Sequence, residues 1–200
     1  MRFDLQVIAS WIEPGARVLD LGCGNGDLLA YLKKHKQVRG TGIEFSEDKV
    51  ARCIERGLTV LQGDFRKEVR DYPEGRFDVI VLSQTLQQIQ DPKELLIDLL
   101  RIGKRVIVSF PNFAHWYARL QILLTGMAPV TDQLPYQWYD TPNIRVISIK
   151  DFKRFLRVFG IRTAREVAIN THHHDYKGNM VRYLKNLRAT YGIMMLERMP

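Results

Sequence analysis

Hydrophobic positions in the first half of the chain recur in two alternating rhythms. Leu5, Ile8, Ala9 and Ile12 fall at helical spacing and predict an opening helix that Pro14-Gly15 would end. Arg17-Val-Leu-Asp-Leu21 reads as a short strand entering a glycine-rich turn, after which Leu28, Leu29 and Leu32 supply a helix face. Val38–Glu44 predicts a second strand, and Ser46-Glu-Asp-Lys49 has the pattern of an N-cap with acids in the first helical turn. Leu58–Leu61 and Phe77–Leu82 predict the third and fourth strands. Leu95, Leu96, Leu99 and Leu100 form a helix stripe, and Arg105–Phe110 predicts a fifth strand. Strands this apolar, separated by helices, require a parallel sheet covered on both faces.

Beyond Phe110 the rhythm loosens. Residues 125–144 contain Gly126, Pro129, Pro135 and Pro142, with Tyr136, Trp138 and Tyr139 among them. Loops of this length are mostly functional or disordered, and the aromatic cluster argues against disorder. Phe152, Phe155, Leu156 and Phe159 resume helical spacing up to Gly160, and strands near 162–169 and 193–196 would complete the sheet. The expected fold is α/β: a doubly wound, mostly parallel, seven-stranded sheet with an aromatic-rich insertion after strand five. In such sheets ligands sit beyond the carboxyl ends of the strands, where strand order reverses.

Composition narrows the class. Two hundred residues, 46% of them hydrophobic, suit one domain spanning 1–200. No apolar run approaches the roughly 18 residues of a membrane span, and Met1-Arg-Phe-Asp-Leu-Gln6 lacks the apolar stretch of a secretory signal. Cys23 and Cys53 are too few for a disulfide framework, so a cytoplasmic protein with free thiols is expected. The net charge of +8 is uneven: residues 1–100 carry −2 and residues 101–200 carry +10. A basic half of this kind either meets an anionic partner or simply solvates a surface. Because no basic motif of a nucleic-acid module accompanies it, nucleic acid is not the expected partner. His172, His173 and His174 lack the spacing of a metal site and read as loop residues, so no metal is expected.

The chemistry centres on Val18-Leu-Asp-Leu-Gly-Cys-Gly-Asn-Gly26, a strand entering a helix through Gly22, Gly24 and Gly26. Glycines allow positive φ and close ligand approach. Dinucleotide-binding enzymes use a similar turn, but their third glycine would fall at position 27, which is Asp. Asp20 and Asp27 flank the turn, and like charges at about 4 Å cost roughly 4 kcal/mol at an effective dielectric of 20, so a pyrophosphate would be repelled there. A ligand with an ammonium and a sulfonium would be favoured. Glu44 ends the second strand, where an acid can accept both ribose hydroxyls. Asp64 ends the third, where a carboxylate can accept from an adenine amino group, with Phe65 positioned to pack on the ring.

Val18–Gly24 resembles the first motif of class I S-adenosylmethionine-dependent methyltransferases, with Glu44 at the ribose acid and Asp64 at the adenine-side acid. The resemblance implies S-adenosylmethionine or S-adenosylhomocysteine as ligand, held by Asp20, Gly22, Cys23, Gly24, Glu44, Phe45, Asp64, Phe65, Ser83 and Gln84. Methyl transfer needs only a positioned acceptor and, for some acceptors, a base. Many small-molecule members carry a histidine after strand four. Here Gln84, Gln87 and Gln88 stand there, and an amide is no base near neutral pH. No catalytic residue is therefore assigned, His115 being the one candidate proton acceptor beyond strand five.

Ser109-Phe-Pro-Asn-Phe-Ala-His-Trp116, Leu134–Asn143, Gln84–Gln87 and Met1-Arg-Phe-Asp-Leu5 are together similar to the MetW family of methionine-biosynthesis proteins. That resemblance implies a role alongside a homoserine O-acyltransferase. The leading expectation is an accessory or regulatory protein, and the alternative is a small-molecule methyltransferase. An RNA methyltransferase and a nicotinamide-dependent oxidoreductase rank below both. The aromatic loop around Trp138 has three readings: a lid on the ligand, an anchor for a partner protein, or a loop pinned by its own rings.

Overall fold

The apolar strands pair as their sequences require. In the computed structural model, which describes residues 1–172 and 175–198, β1 (Arg17–Leu21), β2 (Arg39–Glu44), β3 (Thr59–Gln62), β4 (Phe77–Ser83) and β5 (Gly103–Pro111) are parallel neighbours in the order β3-β2-β1-β4-β5. Side chains on successive residues face opposite sides of a strand. Leu19, Leu21, Ile80, Leu82, Val106 and Val108 accordingly join one core, while Val18, Val79, Val81 and Ile107 join another. The first core is closed by α5 (Pro92–Ile102) through Leu95, Leu96 and Leu99, and by α7 (Ile149–Val158) through Phe152 and Leu156. The second is closed by α1 (Phe3–Ser10) and α2 (Asp27–Lys36) through Leu5, Ile8, Leu28 and Leu32.

Beyond β5 the sheet turns antiparallel. β8 (Tyr191–Arg198) pairs with β5, β6 (Ile161–Asn170) pairs with β8, and β7 (Asn179–Met180) ends the row. The sheet thus has eight strands rather than the seven expected from periodicity. The extra one is two residues long, too short to show an alternation. Helix starts follow local chemistry. Asp91 caps α5 by accepting from the Glu94 amide, and Ser148 caps α7 by accepting from the Asp151 amide. Ser46 does stand at the N-cap of α3 (Glu47–Glu55), but its hydroxyl makes no capping bond.

Two helices longer than four residues were not apparent in the sequence. α4 (Phe65–Asp71) buries only Val69, and α6 (Trp116–Thr125) buries only Ala118, so neither carries an inward stripe. Between α6 and α7 the chain is irregular apart from a bridge between Thr131 and Leu134, and a last short helix, α8 (Lys185–Arg188), precedes β8. Of the three adjacent histidines only His172 is described; its Nδ1 lies 2.9 Å from Asp132 Oδ2. No helix among the described residues is long and apolar enough to cross a membrane.

Candidate functional site

Strand order reverses between β1 and β4, and the carboxyl ends of β1, β2 and β4 open there into a cavity of about 720 Å3. Its floor is the turn after β1. Gly22, Gly24 and Gly26 all have positive φ, so three left-handed residues fold the chain back on itself before α2 begins. At Gly26 the requirement is double, since a Cβ there would overlap Leu58 Cδ1 and lie 2.9 Å from Cys53 Sγ. At Gly24 a Cβ would meet nothing within 4 Å, which leaves the backbone open to the cavity.

Glu44, 8% exposed, locks this turn to β2. Its Oε2 accepts from the Gly24 amide at 2.9 Å, and its Oε1 accepts from the amides of Phe45 and Ser46 at 3.1 and 3.0 Å. These bonds hold the link into α3, but Glu44 accepts from none of that helix's own first-turn amides. Asp20 is 3% exposed and borders the same space. Burial pushes its carboxyl up to about 7, with the Arg2 charge pulling down and the Glu44 charge pushing further up. Burial also raises the Cys23 thiol, which sits against β2: a Cβ on Gly42 would lie 2.6 Å from Cys23 Sγ. This sulfur is packing, not a nucleophile.

At the β3 side, Asp64 caps α4 by accepting from the Arg66 amide at 3.1 Å. Its two oxygens also hold Arg66 Nε and an Nη at 2.8 and 2.6 Å, which keeps its carboxyl below the ordinary range. Much of its capacity is therefore spent on its own helix, and Arg66 joins it on the cavity wall. Phe45 leaves 79% of its surface exposed at the rim, an unusual position for a phenyl ring.

All ten residues expected from sequence (Asp20, Gly22, Cys23, Gly24, Glu44, Phe45, Asp64, Phe65, Ser83 and Gln84) line this one cavity. The sequence reading missed Arg2, Lys49, Arg66 and Thr85, which line it too, and Gln88, noted there only for lacking a basic group, joins them. Arg2 reaches the end of β4 because Asp4, 2% exposed, grips its Nε and an Nη at 3.1 Å each. Gln84 donates to the same Asp4 at 2.9 Å. No spacing along the chain joins residue 2 to residue 84.

Other candidates stand apart. His115 occupies the N-cap position of α6, half-buried, with burial lowering its pKa, and it does not line the cavity. Tyr136, Trp138 and Tyr139 are exposed and do not line it either, so these three rings do not cover the cavity in this structure.

Solved structures share the architecture. A methyltransferase from Thermotoga maritima, described as S-adenosylmethionine-dependent and possibly a histamine N-methyltransferase, superposes with a TM-score of 0.70 over 98% of this chain and 88% of its own, at 19% identity. The fold is that of the class I S-adenosylmethionine-dependent methyltransferases. The family model "Methionine biosynthesis protein MetW" matches residues 2–196, and the chain belongs to that family. The bifunctional methionine biosynthesis protein MetXA/MetW of Rhodopirellula baltica is 31% identical over 176 residues, 84% of this chain. Phosphoethanolamine N-methyltransferase 1 of Arabidopsis thaliana is 33% identical over 106 residues, 49% of this chain. The chain matches 28% of the length of the first relative and 21% of the second.

Proposed function

We propose that the cavity binds S-adenosylmethionine or its demethylated product, and that the protein acts with a homoserine O-acyltransferase in methionine biosynthesis. The observation that carries the ligand is Asp20: a buried carboxyl at the switch point, beside a glycine turn, with no phosphate-binding cation on the turn itself. An anionic pyrophosphate would meet Asp20 and Asp27; the α-ammonium of an amino-acid tail would relieve the first of these. Glu44 lines the cavity and keeps one acceptor site, on Oε2, beyond the three backbone amides it holds. Phe45 offers an uncovered ring that a purine would cover.

The partner rests on a different face. On α6, Trp116, Leu120, Leu123 and Leu124 are exposed at i, i+4, i+7 and i+8, the spacing of a helix that lies in a partner's groove. Trp138 and Tyr139 are exposed on the irregular segment that follows. The R. baltica relative carries both the MetXA and MetW names in a single protein, which supports an acyltransferase as the occupant. Calorimetry with S-adenosylhomocysteine and with NAD tests the site: binding of the first and not the second is expected, and the reverse would end the reading. Co-purification with the acyltransferase, and its activity with and without the protein, tests the partnership.

The alternative, methyl transfer to a small molecule, has the fold in its favour. Against it, the β4 end of the cavity presents Gln84, Thr85 and Gln88, none of them a base. Transfer of labelled methyl to metabolite extract decides between the two.

A further inference from the structure

The amino ends of the strands border a second cavity, at the opposite end of the sheet from the glycine turn. It encloses about 370 Å3 where β1, β2, β3 and β4 begin. Arg17, Lys33, Arg39 and Arg76 line it, and no Asp or Glu among the described residues does. This is not the character of the region as a whole, since residues 1–100 carry a net charge of −2. Strand register produces the cluster. Arg17 and Arg39 are partners on β1 and β2, and Thr41 and Thr59 are partners on β2 and β3. Partners share a face, and alternation returns Arg39 and Thr41 to the same one, so all four side chains leave the sheet on one side. Arg76 joins them from the residue before β4.

The four cations are not equally committed. Arg17 holds Asp78 through Nε and an Nη at 3.1 Å each, and Lys104 holds the same carboxylate at 2.9 Å. Lys33 donates to the Gly57 carbonyl at 2.6 Å. Arg39 and Arg76 are exposed, and neither guanidinium has a partner among the described residues. The hydroxyls of Thr41 and Thr59 make no hydrogen bond there either. Two open guanidinia and two open hydroxyls therefore border one cavity, together with the buried side chains of Leu29, Leu58 and Phe77. Like charges set side by side raise the local potential, and apolar walls limit its screening.

We propose that this cavity is a second binding site, for a small molecule that carries a phosphate group. A phosphate monoester brings a charge of about −2 and three acceptor oxygens, which suits two guanidinia flanked by hydroxyls; a lone carboxylate brings half that charge. A nucleic-acid backbone is met by cations spread along a surface, whereas these converge on one cavity. The two cavities have no lining residue in common, so the second does not depend on the nucleoside reading of the first.

The probe is phenyl phosphate, titrated into the isotope-labelled full-length chain at constant ionic strength and about pH 8, where it is a dianion. Saturable amide NMR shifts centred on Gly40, Thr41, Gly57 and Thr59 are expected. Arg39→Gln and Arg76→Gln should each weaken binding about tenfold, the scale of one charge-assisted contact. Both positions are exposed, so the variants keep the fold. Arg154→Gln, at an exposed position on α7, should leave the affinity unchanged. Phenylmalonate, a dicarboxylate of equal charge, should bind at least about tenfold more weakly. Absence of saturation, shifts centred elsewhere, or an affinity indifferent to both substitutions overturns the site. Equal binding of phenylmalonate overturns the phosphate. An RNA oligonucleotide that binds more tightly than the probe, and is weakened by the same two substitutions, overturns the small molecule.

Discussion

Asp20 shows how one residue couples stability to ligand. Its carboxyl is pushed from its ordinary value of 3.8 up to about 7, chiefly by burial, with Arg2 opposing and Glu44 reinforcing, and with the neutral Cys23 thiol as its other close titratable neighbour. Because the folded pKa lies above the unfolded one, the folded state holds a proton that the unfolded chain releases between about pH 4 and pH 7. Folding stability should therefore fall as pH rises through that window, by up to about 1.4 kcal/mol per unit, and level off above 7. Asp20→Asn should flatten the profile, which urea unfolding at several pH values would reveal; a persistent slope of the same size would reject the assignment. Binding follows the opposite sign. The α-ammonium of the ligand's tail favours the ionised carboxylate, so affinity for S-adenosylhomocysteine should rise up to tenfold per unit below about 7 and then plateau. Gly26 gives a second test at this scale. Alanine there adds left-handed strain at φ +74° to a clash with Leu58 and Cys53, and should cost about 2–4 kcal/mol by denaturant unfolding. Gly15→Ala has similar φ, +73°, with nothing within 4 Å, and should cost only about 1 kcal/mol. What the sequence disclosed of this site was every residue on a strand end, since strand ends are set by local pattern. Arg2 and Lys49 come to the cavity from helix N-termini and escaped notice because only packing brings them there.

Elements were legible in proportion to what they bury. β1 was read to the residue, and β4 and β5 were bounded within two residues, because each is a continuous apolar run between turns. α5 and α7 declared themselves through leucine and phenylalanine stripes that enter the core. α4 and α6 did not, for they contribute one buried side chain each. That contrast makes α6 informative. Ten residues of helix with Trp116, Leu120, Leu123 and Leu124 in water are not held by the core, whose members are worth about 2 kcal/mol each when buried. Replacing Leu123 and Leu124 by serine should therefore leave the chain's own stability within about 0.5 kcal/mol. The same pair of changes should weaken retention on an immobilised homoserine O-acyltransferase at least about tenfold, as loss of central apolar anchors does. A large fall in stability with unchanged retention would show that the stripe serves this chain rather than a partner.

Across the whole molecule, the parallel and antiparallel halves of the sheet do not have separate interiors. Leu19, Ile80 and Val106 of the parallel strands share one cluster with Ala168, Met194 and Leu196 of the antiparallel ones, and Val18 and Val81 share the other with Ile169, Tyr191 and Ile193. The chain closes on itself as well. The Phe3 amide donates to the Asp175 carbonyl at 2.9 Å, and Gln6 donates to the Tyr176 carbonyl at 2.9 Å, so α1 is pinned between the cavity and the segment leading to β7. Charge follows the same division of labour. Glu166 pairs with Lys153 and Lys185, and Glu197 with Arg105 and Arg162, so two acids of the basic half each hold two of its cations. A core shared in this way has no plane along which half could melt first. We therefore predict one cooperative thermal transition for residues 1–200, with calorimetric and van't Hoff enthalpies in agreement. Ligand should move that transition as a unit. S-adenosylhomocysteine at a hundred times its Kd adds about 2.7 kcal/mol, which corresponds to a rise of about 5–10 °C for a chain of this size. A second transition that ligand leaves in place would mean that β6 and β8 form a separate unit.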